Sequence, residues 1–128
     1  MLSTTGAFSG MSASDIPTVR AFYEDTLGIS VADAGMGAIT LHLDTGGGVV
    51  LIYPKPDHVP AAYTALNFVV DDIDTAVDEL VAAGVTIARY DAMPQDEKGI
   101  MRGKSVGMGP DIAWFTDPAG NILSVLCE

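Results

Sequence analysis

The sequence predicts an α+β fold made of two tandem β-α-β-β-β modules, and three observations predict it. Residues 14–28 and 71–84 each read as an Asp-Ile helix start, an amphipathic helix and a Gly stop, with a short alternating strand before them. Asp15 and Asp72, the two helix starts, lie 57 positions apart in 128 residues, so one supersecondary unit occurs twice. Pro54, Pro56 and Pro60 form the Pro-rich stretch of the chain, and they fall where the repeat requires a boundary. Module one then covers about 5–54, a linker about 55–62, and module two about 63–128, within a single domain.

Each element follows from local pattern. Residues 6–13 form a strand of small residues. Ser14 or Asp15 caps the first helix, and Pro17 is tolerated in its first turn. Ile16, Val19, Phe22, Tyr23 and Leu27 recur at helical spacing, and Gly28 ends the run. Ile29–Ala32 is a short strand. Ile39, Leu41 and Leu43 alternate with Thr40, His42 and Asp44, which describes a half-buried strand. Gly46-Gly47-Gly48 turns the chain, and Val49–Tyr53 returns. Tyr63–Val70 restarts the pattern. A helix follows from Asp72 to Ala83, with Ile73, Ala76, Val77 and Leu80 on one face. Val85–Arg89 is expected as a strand, and residues 91–110 show no period. Ile112–Thr116, the turn Asp117-Pro118-Ala119-Gly120-Asn121 and Ile122–Leu126 close the module.

Composition narrows the function. Hydrophobic residues make up 48% and charged residues 18%, as in a globular chain. Seventeen acidic against six basic residues leave a net charge of −11, which argues against nucleic acid and anionic membrane partners; it either attracts a cationic small molecule or simply keeps the protein soluble. The one cysteine, Cys127, excludes an internal disulfide and sits in an apolar terminal run suited to packing. No signal peptide and no apolar run of membrane-spanning length is visible, so a cytoplasmic protein is expected.

Three motifs stand in register. They are Ala21-Phe22-Tyr23-Glu24-Asp25-Thr26-Leu27-Gly28, Val70-Asp71-Asp72-Ile73-Asp74 and Phe115-Thr116-Asp117-Pro118-Ala119-Gly120-Asn121. With them the chain resembles the vicinal oxygen chelate superfamily of glyoxalases, extradiol dioxygenases, and fosfomycin- and bleomycin-resistance proteins, over nearly its whole length. The resemblance implies that the paired modules curl their strands into one cup-shaped mixed sheet. In metal-dependent members, His, Gln or Glu side chains enter the cup from the first and last strands of each module.

The positions matching those ligands are Phe8, Leu51, Ala65 and Ser124. Three have no side-chain donor and the fourth is a poor one, whereas a divalent metal needs several converging N or O donors. A shift of one residue brings Ala7, Ser9, Thr64, Leu66, Leu123 or Val125, and a shift of two brings Asn67. His42 alternates with apolar neighbours and His58 lies in the linker; each is more often structural than ligating. No metal and no cofactor is expected. By the period of 2, Phe8, Gly10 and Ser12 share a face, as do Ala65, Asn67 and Val69, and Ile122, Ser124 and Leu126, with Leu51 and Tyr53 joining them. This lining is either a small-molecule pocket or simply core.

The expected ligand-binding residues are Phe8, His42, Leu51, Tyr53, Ala65, Asn67, Arg102, Trp114 and Ser124. Tyr53 and Trp114 are the candidates for stacking a flat or cationic ligand, although Trp114 packs under a helix if the register differs by one. Residues 96–104 are either a flap, with Arg102 or Lys104 meeting an anion, or a solvated loop. The resulting expectation is a metal-independent small-molecule-binding or sequestering protein, dimeric with a second copy of itself. The alternative is an enzyme of the same superfamily, a lyase, isomerase or dioxygenase, using a divalent metal or a metal-free general base.

Overall fold

The computed structural model describes residues 1–43 and 48–128. Asp44 and the expected turn at Gly46-Gly47 lie outside the described residues. The chain forms two compact units, Met1–Val59 and Pro60–Glu128.

Unit one contains β1 (Ser9–Ala13), α1 (Ile16–Ala21), β2 (Ser30–Gly35), β3 (Ala38–His42) and β4 (Val49–Pro54). Its sheet has the order β1-β4-β3-β2, with β1 parallel to β4 and the other pairs antiparallel. Asp15 caps α1: its carboxylate accepts from Thr18 N at 3.2 Å and from the Thr18 hydroxyl at 2.8 Å. Pro17 sits in the first turn, where an amide hydrogen would have no helical partner. After Ala21 the helix widens into a π turn over Phe22–Thr26, and Gly28 ends it at φ 69°. The wider turn departs from the α period. Tyr23 is therefore fully buried with Val19, whereas Phe22 and Leu27, expected in the core, are half-buried. The buried face of the sheet carries Met11, Ala13, Ile39, Leu41, Val50 and Ile52.

Unit two contains β5 (Thr64–Val69), α2 (Ile73–Ala82), β6 (Met101–Arg102), β7 (Asp111–Thr116) and β8 (Ile122–Cys127). Its sheet repeats the plan as β5-β8-β7-β6, again with the first strand parallel to the last. Asp72 caps α2 by accepting from Thr75 N at 3.1 Å. Ile73, Val77 and Leu80, spaced for one helical face, are buried, and Ala76 is half-buried. The β7–β8 turn is built on Asp117, whose carboxylate accepts from Ala119 N, Asn121 N and Asn121 Nδ2 at 2.9–3.0 Å. Gly120 supplies the left-handed φ of 82°.

One expected element differs. Val85–Arg89 is not a strand; Ala88 N–H donates to Trp114 O at 2.8 Å, but a ladder does not continue from it. The side chain of Gln95 takes up the neighbouring backbone groups instead. Its Nε2 donates to Ala88 O and Gly99 O, and its Oε1 accepts from Tyr90 N, all at 2.8 Å. The fourth strand of the sheet comes from Met101–Arg102, inside the stretch without sequence period.

Candidate functional site

Each sheet has a buried face and a more open face, and the strand registers decide which expected residues reach the open one. In unit one, Gly10 stands opposite Leu51 and Ser12 opposite Tyr53 on the parallel β1–β4 pair. Thr40 stands opposite Leu51 and His42 opposite Val49 on β3–β4. Leu51, Tyr53 and His42 therefore share one face with Ser12 and Thr40. Tyr53 is 43% exposed. The His42 ring nitrogen Nε2 lies 3.0 Å from the Thr40 hydroxyl. Phe8 precedes β1, which begins at Ser9, and is exposed. It stands outside the sheet register that would have aimed it with Gly10, because the first strand is shorter than its sequence pattern.

His58 joins this face from an unexpected direction. Lys55 N–H donates to Ala13 O at 2.9 Å, extending the β1–β4 ladder by one bond, and His58 N–H donates back to Lys55 O at 3.0 Å. The turn brings His58 Nδ1 to 2.6 Å from Ser12 Oγ.

In unit two, Asn67 stands opposite Ser124, and Ser124 opposite Trp114. The Ser124 hydroxyl donates to Asn67 Oδ1 at 2.6 Å. A register irregularity between Thr64 and Leu66 leaves Ala65 without a Cα partner on β8 and sets Thr64 opposite Ile122. Ala65 thus loses the expected alignment with Asn67, and Thr64 takes the facing place. The Trp114 indole N–H donates to Thr64 Oγ1 at 3.2 Å. The Trp114 ring meets Tyr90 edge-on, centroids 5.7 Å apart at 82°. Trp114 is therefore buried under Tyr90 rather than under a helix. Around this pair lies a cavity of about 340 Å³ walled by Tyr63, Thr64, Tyr90, Met93, Trp114 and Ile122.

Tyr63, Tyr90 and Met93 were not among the expected site residues. For Tyr90 and Met93 the sequence carried no signal, since the strand expected at 85–89 does not form and residues 91–110 show no period. A larger cleft of about 650 Å³ runs beside α2. Its walls are aliphatic, and its rim of Asp78, Arg89, Glu97 and Lys98 balances in charge, with Lys98 and Asp78 paired at 2.9 Å.

Arg102 is already engaged. Its guanidinium forks onto both oxygens of Asp74 at 2.8 and 2.9 Å and reaches Asp96 at 3.0 Å. Hydrogen bonds from Arg102, and then from Lys98, hold the Asp74 carboxyl well below the usual carboxylate range. The same contacts, Asp74 first, raise Arg102. Burial pushes Asp96 upward, but Ile100 N, Arg102 and Lys98 N outweigh it and leave the group lowered. Arg89 adds hydrogen bonds to the carbonyls of Asp96 and Glu97. Residues 95–102 are thus a tied loop, with Ile100 fully buried beneath it. Lys104 Nζ lies 3.3 Å from the Cys127 sulfur, and the Cys127 thiol is buried.

Of the four positions matching metal ligands, only Ser124 carries a side-chain donor. Phe8 and Ala65 are out of register, Leu51 has no donor, and the Ser124 hydroxyl is directed to Asn67. Among the described residues, no three His, Cys, Asp or Glu side chains converge as a metal site requires. Also among them, no helix is long and apolar enough to cross a membrane.

Two β-α-β-β-β units, each with a parallel first-to-last strand pair and an open face, agree with the family model that matches residues 8–125. The chain belongs to the Glyoxalase/Bleomycin resistance protein/Dioxygenase superfamily. Its fold is similar to the fosfomycin resistance protein FosX of Listeria monocytogenes, at TM-score 0.69 and 11% identity over 99% of this chain and 95% of that one. It is similar to TnmS3, an antibiotic binding protein from Streptomyces sp. CB03234, at TM-score 0.67 and 18% identity over 98% of both chains. It is also similar to a lactoylglutathione lyase from Agrobacterium tumefaciens, at TM-score 0.64 and 18% identity over 97% and 94%. No curated protein sequence matches the chain.

Proposed function

We propose that this protein binds a flat, largely apolar small molecule without a metal, and that the ligand enters the aromatic cavity of unit two. The observation that carries the reading is the cavity wall: Tyr63, Tyr90 and Trp114 supply π faces, Met93 and Ile122 supply apolar contact, and Thr64 supplies a hydroxyl. Such a mixture of aromatic surface and few polar groups is the usual make-up of a small-molecule site. Asn67, His42, Leu51 and Tyr53 lie on the open faces of their own sheets and are proposed as further contacts, with the buried Ser124 hydroxyl orienting the Asn67 amide. The net charge of −11 favours a cationic ligand through long-range attraction, which salt weakens. Arg102 contributes by holding the loop, since its charge is matched by Asp74 and Asp96.

Sequestration without turnover is the role this reading assigns, with the protein acting as a homodimer; sedimentation equilibrium tests the dimer. Trp114 is the chain's single tryptophan, so its emission reports on the cavity directly. Titration with ethidium, a planar cation, and with 1-anilinonaphthalene-8-sulfonate, a planar anion, should give saturable quenching at low salt, stronger for the cation. Tyr90→Ala should weaken the binding by about tenfold, the upper part of the range for one aromatic contact. Unchanged Trp114 emission at saturating concentrations of both probes would reject the cavity as the site.

A further inference from the structure

The open face of unit one holds a second constellation, independent of the aromatic cavity. Ser12 Oγ and His58 Nδ1 are 2.6 Å apart and half-buried. The two residues come from different elements, and backbone bonds fix both: Ser12 within β1, His58 through the Lys55 turn tied to Ala13 O. The internal repeat provides a comparison within the chain. Ser12 opposite Tyr53 corresponds to Val69 opposite Leu126 in unit two, so the polar pair is a departure from the shared plan. Beside Ser12 the face is apolar and roomy. A Cβ added at Gly10 would approach nothing nearer than Leu51 O at 3.8 Å, and Leu51 and Tyr53 flank it. The ammonium of Lys55, which follows β4, is paired with Asp57 at 2.6 Å.

We propose that Ser12 is an activated hydroxyl, with His58 as its general base, and that the pair accepts small apolar acyl groups from esters. With the imidazole proton on Nε2, Nδ1 accepts the hydrogen bond from Ser12 Oγ. As Oγ forms a bond to the ester carbonyl carbon, its proton passes to Nδ1. The carbon–oxygen bond to the alcohol then breaks, and the departing oxygen takes that proton from His58. A water molecule, deprotonated by His58 in turn, bonds to the acyl carbon; the carbon–oxygen bond to Ser12 breaks, the acid leaves, and His58 returns the proton to Oγ. Gly10, Leu51 and Tyr53 suit an uncharged acyl chain, and the Lys55 charge that would prefer a carboxylate is matched by Asp57.

The test uses the intact protein and a fluorophosphonate probe. Attack by Oγ forms a P–O bond and expels fluoride, leaving a stable adduct that peptide mass spectrometry locates. Ser9 and Ser14, both exposed, are references in the same molecule. Ser12 should react at least about a hundredfold faster than either, the lower range for general-base assistance. His58→Gln, checked for an unchanged circular dichroism spectrum, should remove that advantage, and p-nitrophenyl acetate should be hydrolysed by the wild type but not by Ser12→Ala. Labelling of Ser12 at the rate of Ser9 and Ser14 in the wild type overturns the proposal whatever the variants do. So does a folded His58→Gln that labels as fast as the wild type.

Discussion

Asn67 and Ser124 face each other across the parallel β5–β8 pair, and the serine hydroxyl donates to the asparagine carbonyl at 2.6 Å. The equivalent pair in the first unit is Gly10 opposite Leu51, which has no side-chain hydrogen bond to make. The two modules thus share a backbone plan and differ in where polarity is placed on it.

Ser124 is fully buried while Asn67 reaches solvent. Ser124→Ala removes one hydrogen bond and leaves its acceptor hydrated, so it should cost about 1 kcal/mol in urea denaturation. A loss above about 3 kcal/mol would mean that the pair organises much more than itself.

Leu80 lies on the buried face of α2 with Ile73 and Val77. Leu80→Asp places an unpaired carboxylate there and should destabilise by more than about 4 kcal/mol, among the largest effects of single substitutions. A thermal melt indistinguishable from wild type would show that this helix face does not form the core of unit two.

Asp74 gives the fold an acid limit. Its carboxyl is lowered by Arg102 and Lys98, so its charged form stabilises the native state. That contribution is complete above the ordinary carboxylate value, about pH 4, and is lost as pH falls toward the lowered one. Asp72, lowered by its helix-capping bonds to Thr75, acts in the same direction. Melting temperature should therefore drop below about pH 4. Asp74→Asn should melt lower than wild type at pH 7 and show a shallower acid slope. Parallel slopes for the two proteins would remove Asp74 as the source.

Gly103 is required by space rather than by conformation. A Cβ there would stand 2.5 Å from Pro110 O and 2.9 Å from Gly109 O, both backbone atoms that cannot swing aside. Gly103→Ala should cost about 1–3 kcal/mol, as overpacking does elsewhere. Chemical denaturation showing no loss would mean that the chain at residues 108–110 yields freely.

What the sequence made legible was local. Asp15, Asp72 and Gly28 announce the helix boundaries because capping depends on residues three or four apart. Alternation put Leu51 and Tyr53 on one face because strand geometry has a period of 2, and the β3–β4 register adds His42 to it. The cavity was not legible. Tyr90 and Met93 reach Trp114 through a stretch held by Gln95, Asp96 and Arg89, whose side chains bond to backbone groups. Such bonds leave no period to read. The bulge that displaced Ala65 had no marker either, since no Gly stands near it.

Gln95 has a further consequence. Its amide accepts from Tyr90 N and donates to Ala88 O, so the main chain on either side of Arg89 is anchored to one side chain in addition to the single Ala88 N–H bond to Trp114 O. Tyr90 forms one wall of the aromatic cavity, and its backbone follows wherever that amide sits. The spacing between the two rings is therefore set in part by a group bonded to the backbone of Tyr90 and not to its ring. A change at residue 95 would act like turning a set screw, altering which ligands fit while every ring in the wall stays the same.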